Sequence, residues 1–113
     1  MDLEKLSPAA LRKRRRKLAQ DLPPLEYLLR GTLVETYLRC GRPNCHCVNG
    51  PGHGPKHYLS ISQPGRRHRR DYVPNGQQVL VAELIGNYRK LRSMLDEICA
   101  INTELLRRRE ELE

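Results

Sequence analysis

The feature that most constrains this chain is residues 40–57, CGRPNCHCVNGPGHGPKH, where its potential metal ligands are concentrated. The stretch holds three of the four cysteines and three of the four histidines. It also holds four glycines and three prolines, which favour tight turns over a helix or a long strand. Thiolate and imidazole groups at such close spacing are typical ligands of tetrahedral Zn²⁺. We therefore predict a loop that folds around a zinc ion in place of a local hydrophobic core.

The predicted ligand set has three firm members and a fourth that is less certain. The three thiolates belong to Cys40, Cys45 and Cys47. The most natural fourth ligand is His53, six residues after Cys47. His57 is the alternative fourth ligand, followed by His46 or water. Disulfides or free thiols are the competing interpretation of the cysteines.

A site with four protein ligands is structural, whereas an open coordination position permits catalysis. No Asp or Glu lies between Cys40 and Asp71 to act as a general base. We therefore expect a structural zinc ion and no enzymatic activity.

The cysteine run also carries a resemblance. The segments Cys-Gly-Arg-Pro-Asn-Cys-His-Cys, Gly-Pro-Gly-His-Gly-Pro and Tyr-Leu-Ser resemble a small prokaryotic family of unknown function. Its signature is Cys-Gly-Lys/Arg-Pro-x-Cys-x-Cys, followed by His-Gly-Pro and a tyrosine-rich strand. The resemblance spans about Gly31 to Leu106 and implies that Cys40, Cys45, Cys47 and His53 form the family's shared cluster. It also implies an association with mobile genetic elements, but no activity.

Composition limits the core and indicates the class of partner. The 113 residues include no Trp and no Phe, and a chain of this size with few large apolar side chains usually needs a metal or a partner subunit. The N-terminus has no continuous apolar segment, so we expect no signal peptide, no membrane span and a cytoplasmic location. The formal charge of +8 and the pI near 9.7 indicate a polyanionic partner, of which nucleic acid is the commonest.

The N-terminal segment predicts a strongly basic helix. Ser7-Pro8 is a typical N-cap and first-turn pair, and the helix should run to about Gln20. Six consecutive cations go all the way round it: Arg12, Lys13, Arg14, Arg15, Arg16 and Lys17. We interpret them as a nucleic-acid-binding arm, with a solvated, self-repelling tail as the alternative.

The middle of the chain predicts a second short helix and a three-stranded antiparallel sheet. The helix is predicted at 24–30, and the strands at 32–40, 57–62 and 66–73. The third strand holds Arg66, Arg67, Arg69 and Arg70 around His68, and we expect these arginines to bind phosphates. An edge strand protected by charge is the alternative. Tyr37, Tyr58 and Tyr72 are expected to complete the core, with stacking on nucleic-acid bases as the alternative.

The C-terminal segment predicts one long helix, from Asn75 to the end of the chain. Apolar residues alternate at spacings of three and four, and Asn102 occupies an a position, as in two-stranded coiled coils. We predict a homodimer through this helix, with contacts from Leu84, Leu91, Leu95, Ile98, Asn102 and Leu105. Packing against the helix's own domain is the alternative, because Ile85, Met94, Ile101 and Leu106 widen the apolar stripe. Cys99 is expected to be a small apolar residue and not a ligand.

Together these features predict an α+β fold with a small sheet, a zinc-binding loop, a basic N-terminal helix and a long C-terminal helix. The expected segments are a basic arm (1–30), a zinc-stabilised β domain (31–74) and the dimerisation helix (75–113). The leading hypothesis is a zinc-stabilised nucleic-acid-binding protein, with DNA favoured over RNA because a dimer suits paired half-sites. The alternative is a protein–protein adaptor that uses the long helix.

Overall fold

The computed structural model describes residues 2–45, 50, 52–62, 64–65 and 67–113. A 3-10 turn at Leu3–Lys5 is followed by the helix α1 (Pro8–Gln20) and by the strands β1 (Thr32–Leu38), β2 (His53–Ile61) and β3 (Arg69–Val73). The last element is the helix α2 (Gln78–Arg107). The predicted α+β fold with a three-stranded antiparallel sheet is confirmed.

The chain divides into two compact units. Met1–Tyr27 and Asn87–Glu113 form a helical unit, and Leu28–Gly86 forms a sheet unit. The α2 helix contributes to both units, since its first nine residues lie in the sheet unit. The predicted division into three functional segments stays a prediction, because packing groups the residues without revealing their roles.

The sheet has the order β1-β2-β3, with β2 in the centre. Leu33 pairs with Leu59 and His57 pairs with Val73 across neighbouring strands. Cross-strand partners share a face, so these residues lie on the face that packs into the core. The core of the sheet unit consists of Leu59, Val73 and Ile85, with Leu29, Leu33, Ile61 and Val81 partly buried against it. The other face of the sheet carries polar and aromatic side chains.

The α1 helix begins as predicted. The Ser7 hydroxyl accepts a hydrogen bond from the Ala10 backbone N–H at 3.2 Å, and Pro8 takes the first turn. Leu11 and Leu18, spaced by seven residues, are buried against Met94, Ile101 and Leu105 of α2. A narrow apolar stripe is therefore sufficient to attach α1 to α2 despite its six cations.

Several predicted boundaries are wrong. Residues 24–30 form turns and extended chain, with the Tyr27 N–H donating to the Pro24 carbonyl at 3.2 Å. Seven residues are too few to offset the cost of helix nucleation without tertiary support. β1 ends two residues before Cys40, β2 starts four residues before His57, and β3 starts at Arg69.

The bounds of α2 also differ from the prediction. It starts at Gln78, where the Gln78 side chain accepts a hydrogen bond from the Gly76 N–H at 2.7 Å. It ends at Arg107, because Arg109 adopts a φ of 58° and the Glu110 N–H turns back to the Leu105 carbonyl at 2.9 Å. A left-handed residue after the last turn is a common helix stop. The helix therefore ends at Arg107 and not, as the sequence predicted, at the end of the chain.

One buried carboxylate organises the end of the helical unit. Glu104 is 8% exposed and accepts hydrogen bonds from the guanidinium groups of Arg107 and Arg108. Arg108 in turn donates to the backbone carbonyls of Leu3, Glu4 and Leu6. This network links the N-terminal turn to the last turn of α2.

We expect truncation of Leu105 to destabilise the protein strongly. Leu105 is 0% exposed, so Leu105→Ala should lower the free energy of unfolding by about 2–5 kcal/mol through lost contacts and a residual cavity. Its neighbour Leu106 is 62% exposed, and Leu106→Ala should change that free energy by less than about 0.5 kcal/mol. Urea denaturation of the two variants measures the difference, and equal losses would contradict this packing.

We also expect Glu104 to make stability depend on acid pH. Hydrogen bonds from Arg107, and then from Arg108, hold the pKa of the Glu104 carboxyl below its usual value. Its stabilising contribution is therefore complete above the unfolded-state pKa of about 4.3 and is lost as the pH falls through the lower folded-state pKa. The stability gap between the wild type and Glu104→Gln should narrow on acidification. Urea midpoints at pH about 6 and about 3 test this, and a constant gap would contradict it.

Candidate metal centre and basic sheet face

Three of the predicted ligands meet at one end of the sheet. Cys40 follows β1 by two residues, Cys45 closes a turn in the loop, and His53 is the first residue of β2. Leu38 and His53 are paired in the antiparallel register, so the end of β1 lies beside the start of β2. The cluster therefore sits where the β1–β2 hairpin is closed by its long connection.

Local backbone geometry explains why the loop brings these residues together. The Cys45 N–H donates to the Arg42 carbonyl at 3.2 Å, which makes a tight turn through Pro43 and Asn44. Gly52 has a φ of 109°, and a Cβ there would lie 2.9 Å from the Leu38 carbonyl carbon. Only glycine allows so close an approach of the two backbones in that conformation. The glycine thus delivers His53 to the end of β1.

The donor atoms are close enough to hold one metal ion. The ligand atoms of Cys40, Cys45 and His53 all lie within 4.8 Å of one another, and Cys45 Sγ is 3.1 Å from His53 Nε2. In a tetrahedral zinc site the S···N separation is about 3.5 Å, given metal–ligand distances of about 2.3 and 2.0 Å. The contact at 3.1 Å also suits a thiol–imidazole hydrogen bond, and the third donor makes the group a triad that could hold a metal ion. The prediction of a Cys/His metal site is therefore supported, while the identity of the metal belongs to the proposal below.

The remaining predicted ligands have different outcomes. Cys47 and His46 lie outside the described residues. His57 is not in the cluster, since it is four residues along β2 from His53, or about 13 Å in an extended strand. Its Nε2 is 3.9 Å from Glu35 Oε2 on the core side of the sheet, so the alternative that His57 replaces His53 is not supported.

Among the described residues, Cys40, Cys45 and Cys99 form no disulfide with one another. Cys99 is outside the metal cluster, as expected, but it is exposed on α2 and not packed as a small apolar residue. The disulfide interpretation therefore has no support among these three residues.

The arginines predicted to bind phosphate lie in and before β3. Arg66 is outside the described residues, and Arg67, Arg69 and Arg70 are exposed. Arg69 donates to the Asp71 carboxylate at 3.0 Å, so its charge is partly compensated. Arg70 points to the opposite face, where its guanidinium carbon lies 5.0 Å from the centre of the Tyr58 ring. Arg69 and Arg70 therefore lie on opposite faces of the sheet, as consecutive residues of a strand do.

An exposed aromatic cluster is the main feature that the sequence reasoning missed. Tyr37 and Tyr72 are 43% and 51% exposed, so the prediction that they complete the core is wrong. Tyr58 is only partly buried and contacts Tyr72 edge to face at 5.7 Å between ring centres. The even spacing of Lys56 from Tyr58, and of Arg70 from Tyr72, carried the signal, since residues two apart share a face of a strand.

Three of the six consecutive cations of α1 form hydrogen bonds within the helical unit. Arg14 makes two hydrogen bonds to the Glu97 carboxylate, at 2.7 and 3.2 Å, and these raise the pKa of its guanidinium. Arg15 donates to Asn102 Oδ1 at 2.7 Å, and Arg12 donates to the Glu111 carbonyl at 3.0 Å. The other three cations are exposed: Lys13, Arg16 and Lys17. The arm is therefore a folded helix with three cations left to meet a ligand.

The residues predicted to form a dimer have mixed surroundings. Leu105 is fully buried within the helical unit, Ile98 packs against the same core, and Asn102 is the partner of Arg15. Leu84 and Leu91 are partly buried, and Leu95 is 45% exposed. Intrachain packing thus accounts for the second half of the apolar stripe, as the alternative expected. Dimerisation stays a prediction that now depends on fewer side chains.

No helix within the described ranges has the length and apolar character needed to cross a lipid bilayer.

Comparison with known protein families identifies the family of this chain. The sequence matches the family described as domain of unknown function (DUF6788) over residues 8–83. The match includes the basic helix and ends early in α2, whereas the resemblance suggested a span of about 31–106. Neither the curated proteins nor the solved structures contain a match to the chain.

We expect Cys45→Ser to remove metal binding, because it deletes a thiolate from the triad. Metal content measured by mass spectrometry should fall from one ion per chain to near zero, and the sheet unit should lose order by circular dichroism, since a structural metal contributes directly to folding. Cys99→Ser is the matched control, as Cys99 lies outside the cluster. A Cys45→Ser protein that stays folded and metal-loaded would contradict the assignment.

Proposed function

We propose that this chain, which belongs to the DUF6788 family of unknown function, is a zinc-stabilised nucleic-acid-binding protein. The observation that carries the proposal is the surface charge of the sheet unit. Leu28–Gly86 contains eight Lys and Arg residues against three Asp and Glu residues. The other polar features of the sheet support the same class of ligand.

Zinc is the metal that best suits the donor set. Two thiolates and an imidazole are borderline-soft donors, which zinc prefers and which magnesium and calcium do not. Cys47, which lies outside the described residues, is the remaining predicted ligand and would complete a closed tetrahedral site. Such a site is structural, so the proposal includes no catalytic role.

The metal supports the basic surface through the sheet. The triad joins the end of β1 to the start of β2, and β2 is the strand on which β3 is paired. The register of β3 in turn sets the positions of Arg69 and Arg70. A metal ion at one end of the hairpin therefore stabilises the strands that display the cations.

Three exposed cations on or next to β2 and β3 have no carboxylate partner among the described residues. Within the described part of the chain, Arg69 has Asp71 as its partner, whereas Lys56, Arg67 and Arg70 have none. Clustered guanidinium groups repel one another unless an anion is present, and their planar donors match phosphate geometry. A phosphate backbone would neutralise several of them at once.

The preference for DNA over RNA is linked to the oligomeric state. The preference for DNA depends on two copies presenting paired half-sites, and Asn102 and Leu105 already have partners within the helical unit. The proposal is therefore made for nucleic acid in general, with a homodimer as a separate prediction. We propose a cytoplasmic location, which would be nucleoid-associated if the ligand is DNA.

A protein–protein adaptor is the second candidate, and one observation favours it. Leu95 and Leu106 of α2 are 45% and 62% exposed, and they offer apolar contacts to a partner helix. Purified protein that ignores nucleic acid and binds one protein partner through α2 would favour this function.

We expect affinity for nucleic acid to fall steeply with salt, since each phosphate contact releases counterions. Replacing Arg67 and Arg70 by Ala should weaken binding and reduce the slope of log affinity against log salt by about 2 for duplex DNA. Fluorescence anisotropy of labelled DNA and RNA at several salt concentrations measures both effects.

The matched control removes the same charge from another surface. Lys90 and Arg92 are exposed on α2, so replacing both by Ala lowers the net charge equally. This control should bind nearly as tightly as the wild type. Binding that is absent, independent of salt, or weakened equally by both variants would contradict the proposed surface.

A further inference from the structure

The solvent face of the sheet carries a continuous row of aromatic and cationic side chains. Leu59 and Val73 point into the core, so their neighbours in β2 and β3 point the other way. Four of these neighbours form the row, which we call the tyrosine face: Lys56, Tyr58, Arg70 and Tyr72.

The contacts within the tyrosine face follow the strand register. Tyr58 and Tyr72 are direct cross-strand partners, with their rings 5.7 Å apart and inclined by 68°. The diagonal neighbours complete the row, with Lys56 Nζ 5.9 Å from the Tyr72 ring centre and Arg70 Cζ 5.0 Å from that of Tyr58. Two aromatic rings thus lie between two cations.

The row is exposed on a sheet whose other face is already covered. Tyr72 is 51% exposed, and an open depression next to Tyr58 is lined by Thr36, Leu38 and Arg70. Cation–π contacts at exposed sites contribute little stability, so they do not by themselves explain why these aromatic rings are exposed to water. The arrangement is better suited to a ligand that has both flat apolar rings and negative charge.

We infer that the tyrosine face binds an unpaired polynucleotide strand, an inference that rests on the proposed nucleic-acid-binding function. Bases stack on the rings of Tyr72 and Tyr58, and phosphates contact Lys56 and Arg70. Aromatic side chains beside a basic groove are the usual platform for single strands, because every base has a π-face. A duplex keeps its bases stacked on one another and offers a flat sheet only its backbone.

Stacking and phosphate contacts are available from single strands of either polymer, because every base has a π-face and every nucleotide carries a phosphate. We therefore expect the tyrosine face to bind DNA and RNA single strands alike.

The test uses the full chain, zinc-loaded, with labelled oligonucleotides of one mixed sequence as single-stranded DNA, single-stranded RNA and duplex DNA. We expect the two single strands to bind within about threefold of each other, and each at least about tenfold more tightly than the duplex. Equal or tighter binding of the duplex would overturn the inference. A single strand of one sugar bound more than about tenfold over the other would overturn its indifference to sugar.

Substitutions at Tyr72 test whether the single strand binds at the tyrosine face. Tyr72→Ala should weaken single-strand binding by about tenfold while leaving the salt slope unchanged, because it removes a stacking ring and no charge. Tyr72→Phe keeps the ring and should retain affinity. Tyr27 is 58% exposed in the helical unit, so Tyr27→Ala is the matched control and should bind like the wild type. Circular dichroism and metal content confirm that each variant is folded.

The outcomes separate this inference from the proposed function. If no polynucleotide binds, or binding ignores salt, the proposed function itself fails. If binding is salt-dependent but Tyr72→Ala has no effect, the function stands and the tyrosine face is not its site. If Tyr72→Phe loses as much as Tyr72→Ala, the hydroxyl and not stacking is responsible, and the stacking inference fails.

Discussion

The sheet unit depends on the meeting of three donor atoms at the end of the β1–β2 hairpin. The thiol groups of Cys40 and Cys45 and the imidazole of His53 come within 4.8 Å of one another, with a turn before Cys45 and a close backbone approach at Gly52. The core that packs against the sheet is small, with three buried residues among those described, none of them aromatic. A metal ion at this point would fix the ends of two strands that the core alone constrains weakly.

In the helical unit, the strongly basic helix α1 is held against α2 by apolar and ionic contacts. Leu11 and Leu18 supply the apolar contact, while Arg14 pairs with Glu97 across α1 and α2. The acidic residues near the C-terminus of the chain thus neutralise part of the N-terminal run. The cations that remain exposed on α1 and on the sheet are the ones available to an anionic ligand.

Much of the fold could be predicted from local signals. Ser7-Pro8 predicted the start of α1, and the three segments assigned to strands form the antiparallel sheet. The metal triad was also visible, because close spacing in a loop rich in glycine brings ligands together without any knowledge of the rest of the fold. The short helix at 24–30 failed because propensity over seven residues is overridden by turns and tertiary packing.

Residue identity and local spacing were enough to predict a cluster of Cys and His residues that could hold a metal, a three-stranded sheet between helical segments and the excess of positive charge. Long-range packing determines which cations have carboxylate partners and which rings are exposed. Arg14 and Arg16 look alike in the sequence, but only Arg14 faces a carboxylate. Likewise, the exposure of Tyr72 depends on which face of the sheet α2 covers, a choice made by long-range packing that no local pattern encodes.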